Sequence, residues 1–158
     1  SGTLTLNNAA LKATPAFFAT TSGASSVTHN VTTKVTFNTE VLDTNNNYDA
    51  STNYRFTPTT AGKYFCFLSL SVQKVGGVSN TKFLEVDLYF NGSLKYRSYM
   101  DYSNSDAYAA NGTVNAVIDF NGSSDYIEGF MKLQTADGNQ AQILGPQYSM
   151  FGGYRIGT

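Results

Sequence analysis

The segment DTNNNYD, residues 43–49, carries an oxygen-bearing side chain at every second position, as a calcium loop would. An EF-hand loop also requires glycine at its sixth position and a bidentate glutamate at its twelfth. Counting from Asp43, these two positions hold Tyr48 and Tyr54. Asn and Asp are also common turn residues, because they tolerate left-handed backbone and bond to their own main chain. We therefore predict a turn here rather than a metal site.

A second oxygen-rich loop contains Asp101, Asn104 and Asp106, again without the order of a calcium loop. His29 is the single histidine and is predicted to be a surface residue. Cys66 is the single cysteine, and its place in an apolar alternation predicts a small buried side chain. From these residues we predict no metal site and no other cofactor.

The motifs and the composition argue against enzymatic, nucleic-acid-binding and membrane-spanning roles. No serine elbow, P-loop or zinc-ligand spacing occurs, and the eleven acidic residues show no pair suited to glycoside hydrolysis, so no enzymatic activity is predicted. Only 13% of the residues are charged, the net charge is −1, and no basic block suggests nucleic acid. No apolar run approaches the roughly 18 residues of a membrane span. A length of 158 residues suits one domain.

Short alternating segments separated by turn residues run through the chain, whereas no helical period is convincing. Asn91 and Gly92 lie directly between two segments and form the strongest short hairpin signal. The dipeptides at 111–112, 121–122 and 137–138 are further Asn-Gly or Asp-Gly turn signals. This pattern predicts an all-β sandwich or barrel. The predicted strands are 16–20, 32–38, 54–58, 63–72, 82–90, 94–100, 113–120, 125–133, 141–145 and 148–156.

Several predicted strands are apolar on both sides. Alternate residues from Tyr64 to Val72, and from Leu84 to Phe90, form sides that we assign to the core. The opposite sides should be polar in a monomeric sandwich, yet they carry aromatic residues. The outward set consists of Phe65, Phe67, Phe83, Tyr89, Tyr126, Phe130 and Phe151, the last of which alternates with Met150, Tyr154 and Ile156.

These outward rings require a cover. Each buried aromatic side chain contributes on the order of 2–3 kcal/mol, so leaving six or seven in water would forgo a large stabilising term. A contiguous exposed apolar patch usually marks an interface. We predict that identical copies cover the seven rings. The alternative is that loops or the N-terminal segment of the same chain cover them.

An ordered set of features extends from about Phe17 to Ile156. It comprises an Asn-rich loop, a Tyr-Asp pair, a Phe-Thr run leading to Gly and Tyr, an Asn-Gly hairpin and a closing Ser-x-Phe-x-Gly. The positions are Phe37, Asn45, Asn46, Asn47, Tyr48, Asp49, Phe56, Thr57, Gly62, Tyr64, Asn91, Gly92, Ser149, Phe151 and Gly153. Together they resemble the globular head of complement C1q and its tumour-necrosis-factor-like relatives.

The resemblance implies that residues 15–158 form a ten-strand jelly roll that assembles as a homotrimer. No collagen-like Gly-X-Y stretch accompanies it. The low charge and the Thr/Asn/Ser-rich texture are similar to C1q-like domains in virion proteins of tailed bacteriophages. Residues 1–14 are predicted to be an extended lead-in, in which Leu4, Leu6 and Leu11 attach the domain to the particle.

The leading hypothesis is a non-enzymatic structural protein on the virion surface. In this hypothesis a trimeric knob acts as a head decoration or fibre, or as the tip of a tail fibre, beside other capsid or tail proteins. A second hypothesis is a module that binds host-surface glycans, with Tyr102 and Tyr108 stacking on sugar rings. A third is a secreted ligand of the C1q/TNF type. The sequence leaves open head against tail, the host, a longer parent fibre and calcium binding.

Overall fold

Thirteen β-strands and no helix make up the part of the chain that the computed structural model describes, residues 14–75, 80–104 and 107–158. The strands are β1 (Ala16–Thr20), β2 (Ser25–Val27), β3 (Thr33–Lys34), β4 (Thr39–Asp43), β5 (Tyr48–Asp49), β6 (Arg55–Phe56), β7 (Gly62–Lys74), β8 (Thr81–Phe90), β9 (Ser93–Asp101), β10 (Ala109–Phe120), β11 (Ile127–Thr135), β12 (Ala141–Ile143) and β13 (Met150–Gly157). Because none of these residues is helical, no helix there could span a membrane.

The strands form two antiparallel sheets. The larger sheet has the order β2-β12-β7-β13-β1-β4, with β10 also paired to β7. The smaller sheet has the order β5-β6-β11-β8-β9, with β3 also paired to β11. The predicted all-β class is confirmed, and each of the ten predicted segments contains a strand. The predicted count of ten is too low, because β2, β4 and β5 are only two to five residues long and show little alternation in sequence.

The core lies between the inner faces of the two sheets. Alternate residues of β7 from Tyr64 to Val72 are fully buried, as predicted. Leu84, Val86 and Leu88 of β8 are likewise 0% exposed. The alternate apolar residues of these two long strands therefore supply facing apolar layers, which is the arrangement of a β-sandwich.

A cluster of aromatic rings closes one end of this core. The ring of Phe17 stacks on Phe56 with centroids 4.2 Å apart and on Tyr48 at 5.2 Å. Phe151 meets Phe17 edge-on at 4.9 Å. The Tyr48 hydroxyl donates a 2.9 Å hydrogen bond to the carbonyl oxygen of Phe37, so its polar end is satisfied within the core.

The assignment of Phe151 to the outward set is wrong. In β13, Phe151 lies opposite Leu68 of β7 and Tyr154 lies opposite Phe65. Residues that face each other across two antiparallel strands share a face of the sheet. Phe151 therefore points into the core with Leu68, while Tyr154 and Ile156 are about half exposed.

Three of the four predicted Asn-Gly and Asp-Gly turns connect strands. Asn91 and Gly92 have φ of 51° and 77°, the two positive values that a type I′ hairpin requires. Gly122 and Gly138 also have positive φ, in the connections that follow β10 and β11. The hairpin prediction for 91–92 is confirmed.

The fourth dipeptide is not a turn. Asn111 and Gly112 lie inside β10, opposite Ser71 and Leu70 of β7. A Cβ at Gly112 would lie 2.2 Å from the Cε of Met100 and 2.6 Å from a methyl group of Val86. Glycine here allows β10 to approach the smaller sheet, and a sequence signal for a turn cannot reveal that distant constraint.

We predict that replacing two glycines of positive φ by alanine lowers the free energy of unfolding by unequal amounts. Gly138→Ala should lower the free energy of unfolding by about 1–2 kcal/mol, because φ is +75° and no atom lies within 4 Å of the new Cβ. Gly122→Ala should lose on the order of 3 kcal/mol, because its Cβ would also lie 2.3 Å from the backbone nitrogen of Ala61. Urea titration at constant m-value measures both; equal losses would contradict the clash.

Candidate functional site

The seven predicted interface residues do not share one surface. Phe65 and Phe67 lie on the outer face of the larger sheet, and Phe151 is in the core. The other four belong to the smaller sheet or its immediate flank: Phe83, Tyr89, Tyr126 and Phe130. Their role in an interface stays a prediction, but one common patch is excluded because two sheets with a core between them separate the two groups.

A continuous row of rings crosses the outer face of the larger sheet. Phe65 contacts Tyr154 on one side at 5.7 Å and Phe67 on the other at 6.3 Å, and Phe67 contacts Phe18 at 6.3 Å. We call these four residues, Phe18, Phe65, Phe67 and Tyr154, the aromatic band. Gly152 makes room for the band, since a Cβ there would lie 2.6 Å from the ring of Phe67.

Cross-strand register brings the remaining apolar residues to the band. Val117 of β10 lies opposite Phe65, and Leu42 of β4 lies opposite Phe18. Both are almost half exposed, at 49% and 47%, as is Tyr154 at 47%. The sequence did not identify Phe18, Leu42, Val117 or Tyr154 as members of this outward surface. Only the alternation in AFFAT, residues 16–20, offered a signal, because it places Phe17 and Phe18 on opposite faces.

The outward side of β7 is polar on both sides of the band. On one side Lys63 forms a 2.8 Å ion pair with Asp119 of β10. On the other side the hydroxyl of Ser69 bonds to that of Thr113 at 2.9 Å. These pairs are satisfied within the sheet, so the apolar surface has a defined boundary along the strand.

The outer face of the smaller sheet is built differently, around buried carboxylates. The Asp87 side chain is fully buried and accepts two hydrogen bonds of 2.7 Å from the Arg97 guanidinium. Arg97 also lies 3.0 Å from Glu85. The hydrogen bond to Asp87, followed by the charges of Asp87 and Glu85, raises the pKa of Arg97 against the opposing effect of desolvation. A second buried carboxylate, Glu128, pairs with Lys34.

Side chains of the same chain cover the rings on this face. Tyr89 stacks on Phe130 with centroids 4.1 Å apart, and the Lys34 ammonium lies 5.6 Å from the centroid of Phe130. Lys132 lies at the same distance from the Phe83 ring. Cations over ring faces are favourable contacts. Intrachain cover, which the sequence left open as an alternative, thus occurs on the smaller sheet for these rings.

The DTNNNYD segment forms the turns that its sequence predicts. The carboxylate of Asp43 accepts hydrogen bonds from the backbone N–H groups of Asn45 and Tyr48, at 3.2 and 2.6 Å. Asp49 accepts five hydrogen bonds from residues 51–53, between 2.8 and 3.1 Å. Backbone N–H groups of this turn lower the pKa of Asp49 well below its usual range. Its oxygens are therefore occupied by donors rather than open to a cation.

The second oxygen-rich loop gives no metal geometry either. Asp101 accepts hydrogen bonds from Ser103, which lower the pKa of its carboxyl group. Asp106 lies outside the described residues, as do Leu4, Leu6 and Leu11 of the predicted attachment segment. Among the residues that the structure describes, no group of three or more His, Cys, Asp or Glu side chains could hold a metal ion.

The two remaining candidate residues, His29 and Cys66, pack within the fold. The Nδ1 atom of His29 accepts a 3.1 Å bond from the backbone N–H of Thr135, and the ring is half-buried rather than fully on the surface. Cys66 is buried as predicted, and burial raises the pKa of its thiol to about 12.

The two tyrosines proposed to stack on sugars differ. Tyr102 is half-buried and packs against the core, and its contact with a sugar stays a prediction. Tyr108 is 57% exposed, and its hydroxyl accepts a 3.2 Å bond from Gln73. Ligand contact by Tyr108 stays a prediction.

Solved structures with a similar fold include a complement 1qA globular domain, APRIL and a TNF. The globular domain of a zebrafish complement 1qA protein aligns with a TM-score of 0.60 and 18% identity, covering 90% of this chain and 97% of that one. Murine APRIL aligns with a TM-score of 0.60 and 14% identity, covering 90% and 99%. Eiger TNF from S. frugiperda aligns at 0.53 and 12%, covering 90% and 92%.

Sequence comparison adds no family assignment. No protein-family model matches the chain, and no curated protein matches it significantly. The identities to the solved structures are too low to show more than the fold. The chain therefore has a C1q/TNF-like all-β fold.

We predict that Asp49→Asn lowers the free energy of unfolding by on the order of 1 kcal/mol at neutral pH, because an amide cannot replace all five accepted bonds. The folded-state pKa of Asp49 is lowered, so its stabilisation is present above about 3.9, the pKa of an unperturbed aspartate, and is lost as pH falls further. The difference between the variant and wild type should therefore shrink towards pH 2.

Asp119→Asn is the matched control, because Asp119 forms an exposed ion pair with Lys63. It should change stability by only a few tenths of a kcal/mol at any pH. Chemical denaturation between pH 2 and pH 7 measures both variants. If the loss of unfolding free energy in Asp49→Asn did not change with pH, stabilisation of the turn by the ionised Asp49 carboxylate would be contradicted.

Proposed function

We propose that this chain is a non-enzymatic assembly module that forms a homotrimer through the aromatic band and its neighbours Leu42 and Val117. The observation that carries the proposal is one apolar patch on the larger sheet, in which Leu42, Val117 and Tyr154 are about half exposed beside the partly buried Phe18, Phe65 and Phe67. Patches of this kind usually mark protein interfaces.

The composition of the patch favours another copy of the chain as its partner. The band contains no charged residue. The polar side chains beside it along β7 already have partners within the sheet, Lys63 with Asp119 and Ser69 with Thr113. A partner therefore needs to supply apolar rings without compensating charges, and the band itself is such a surface. Closed cyclic symmetry lets identical patches cover one another without leaving an open end. The C1q/TNF resemblance implies that the symmetry is three-fold.

The outer face of the smaller sheet is a poorer candidate for the trimer interface. Its rings already contact lysines and other rings of their own chain. Docking a copy there would desolvate Arg97, Lys34 and the carboxylates beneath them, which is costly unless new partners are provided. In the proposed trimer this charged face stays in solvent, and the aromatic band lies along the three-fold axis.

The role of such a trimer is mechanical in the leading proposal. We propose that it is a compact knob on the surface of a bacteriophage particle, either a head decoration or fibre or a tail-fibre tip. Support comes from the low charge and the Ser/Thr/Asn-rich composition, and attachment would use Leu4, Leu6 and Leu11. Cryo-electron microscopy of purified particles tests this placement through density that fits the domain.

A secreted trimeric ligand is the second candidate. The solved structures with this fold favour it, since they comprise a complement domain, APRIL and a TNF. An export signal in the complete reading frame, together with particles that lack the protein, would support the ligand. Adjacency to capsid or tail genes would support the virion protein.

We predict that light scattering gives about three times the 17.1 kDa chain mass. The double change Phe65→Ser and Phe67→Ser should reduce the mass to that of one chain, because it removes the centre of the band. Val117→Lys should do the same by introducing charge at a half-exposed rim position, where the isolated fold can tolerate it.

The control is Leu94→Ser with Tyr99→Ser, which removes two exposed apolar side chains from the smaller sheet. This variant should remain trimeric. Circular dichroism of each variant distinguishes dissociation from unfolding. A wild-type protein that is monomeric at micromolar concentration, or a control that dissociates equally, would exclude the proposed interface.

A further inference from the structure

A polar pocket of about 460 Å³ opens beside β5 and β6, at the edge of the smaller sheet. It shares no residue with the aromatic band. A volume in this range is typical of small-molecule sites, which are usually lined by apolar side chains. This lining is polar instead, which indicates a polar ligand. The residues that matter are Asn46, Asn47, Asp49, Asn53, Arg55 and Thr59.

Asn47 has an unused donor at this pocket. Its side chain is more than nine-tenths buried, and its Oδ1 atom accepts a 3.3 Å bond from the Thr59 hydroxyl. Its Nδ2 atom has no hydrogen-bond partner among the described residues. A buried unpaired donor costs about 1–3 kcal/mol, so such groups are rare in folded proteins. Because Asn47 lines the pocket, an oxygen of a bound ligand is the partner that would satisfy this donor.

The Arg55 guanidinium donates no hydrogen bond to any residue that the structure describes. It lies opposite Asp49 in the β5–β6 pair, where a cross-strand ion pair would be expected. The Asp49 oxygens already accept five bonds from residues 51–53, and no ion pair within 4.0 Å links the two side chains. The central carbon of the guanidinium instead lies 4.2 Å from the centroid of the Tyr126 ring. A cation–π contact of this kind holds the guanidinium in place without using its N–H donors.

The pocket therefore presents a surplus of donors. A guanidinium edge pairs best with a carboxylate, through two parallel hydrogen bonds. The fixed negative charge of Asp49 beside it disfavours a dianion such as phosphate, but it tolerates a single negative charge. The hydroxyl of Thr57 and the amides of Asn46 and Asn53 can exchange hydrogen bonds with ligand hydroxyl groups.

We propose that this pocket binds the carboxylate-bearing sugar of an acidic glycan. Arg55 binds the carboxylate, the Asn47 amide donates to a second ligand oxygen, and the Asp49-bonded turn holds Asn53 at the rim. The Tyr126 ring orients Arg55 from below and is not itself a stacking platform for the sugar. This site would give the proposed trimer three equivalent glycan contacts, although binding does not depend on trimer formation.

The test is titration of the full chain with methyl β-glucuronide and with its neutral counterpart methyl β-glucoside, followed by NMR. The glucuronide should bind at least roughly tenfold more tightly, and it should shift the side-chain amide signals of Asn47. Arg55→Gln should abolish binding. Asn47→Asp should do the same, because it replaces the donor with a like charge of the same shape.

Lys95→Gln is the control, since it removes one exposed positive charge outside the pocket and should leave binding unchanged. Three results would each overturn the site. They are equal affinity for the two sugars, binding of the glucuronide that does not saturate by about 10 mM, and retained binding by Arg55→Gln. Light scattering of Arg55→Gln should still give the trimer mass. Failure of the glycan site is thereby distinguishable from failure of the trimer proposal.

Discussion

The pairing of β7 with β10 over twelve successive residue pairs, from Gly62–Phe120 to Gln73–Ala109, is the constraint on which the rest of the structure depends. It fixes which side of β7 faces the smaller sheet, and β13 then pairs with β7 from Met150 to Gly157. Because side chains alternate strictly in a strand, one register decides at once which residues form the core and which rings face outward. A shift by one residue would exchange the two sets.

Aromatic residues on the outward sides of the strands have different surroundings on the two sheets. On the smaller sheet, lysines, arginines and stacked rings of the same chain cover them, and buried carboxylates lie between them. Among the described residues, no lysine or arginine lies over a ring of the aromatic band on the larger sheet. The difference lies in the alternate positions: Glu85 and Asp87 separate the rings of β8, whereas Phe65 and Phe67 follow one another on the same side of β7.

Sequence reasoning succeeded where local patterns and burial agree. The all-β class, the ten predicted strand segments, the core sides of β7 and β8, the hairpin at Asn91-Gly92 and the turn character of residues 43–49 all follow from alternation or turn chemistry. It failed at Gly112, where a turn signal lies inside a strand because Met100 and Val86 approach from the other sheet. It also failed at Phe151, whose face is set by its opposition to Leu68.

The amino-acid sequence alone determined that the chain forms short strands with apolar sides, that β7 carries aromatic residues opposite its core side, and that residues 43–49 include a turn built from Asn and Asp. These properties depend on neighbours in the chain. Tertiary structure alone decided which rings lie on one surface, and that Asn47 and Arg55 share a pocket with unused donors. Both depend on cross-strand register and on which hydrogen bonds are already taken, which link residues distant in sequence.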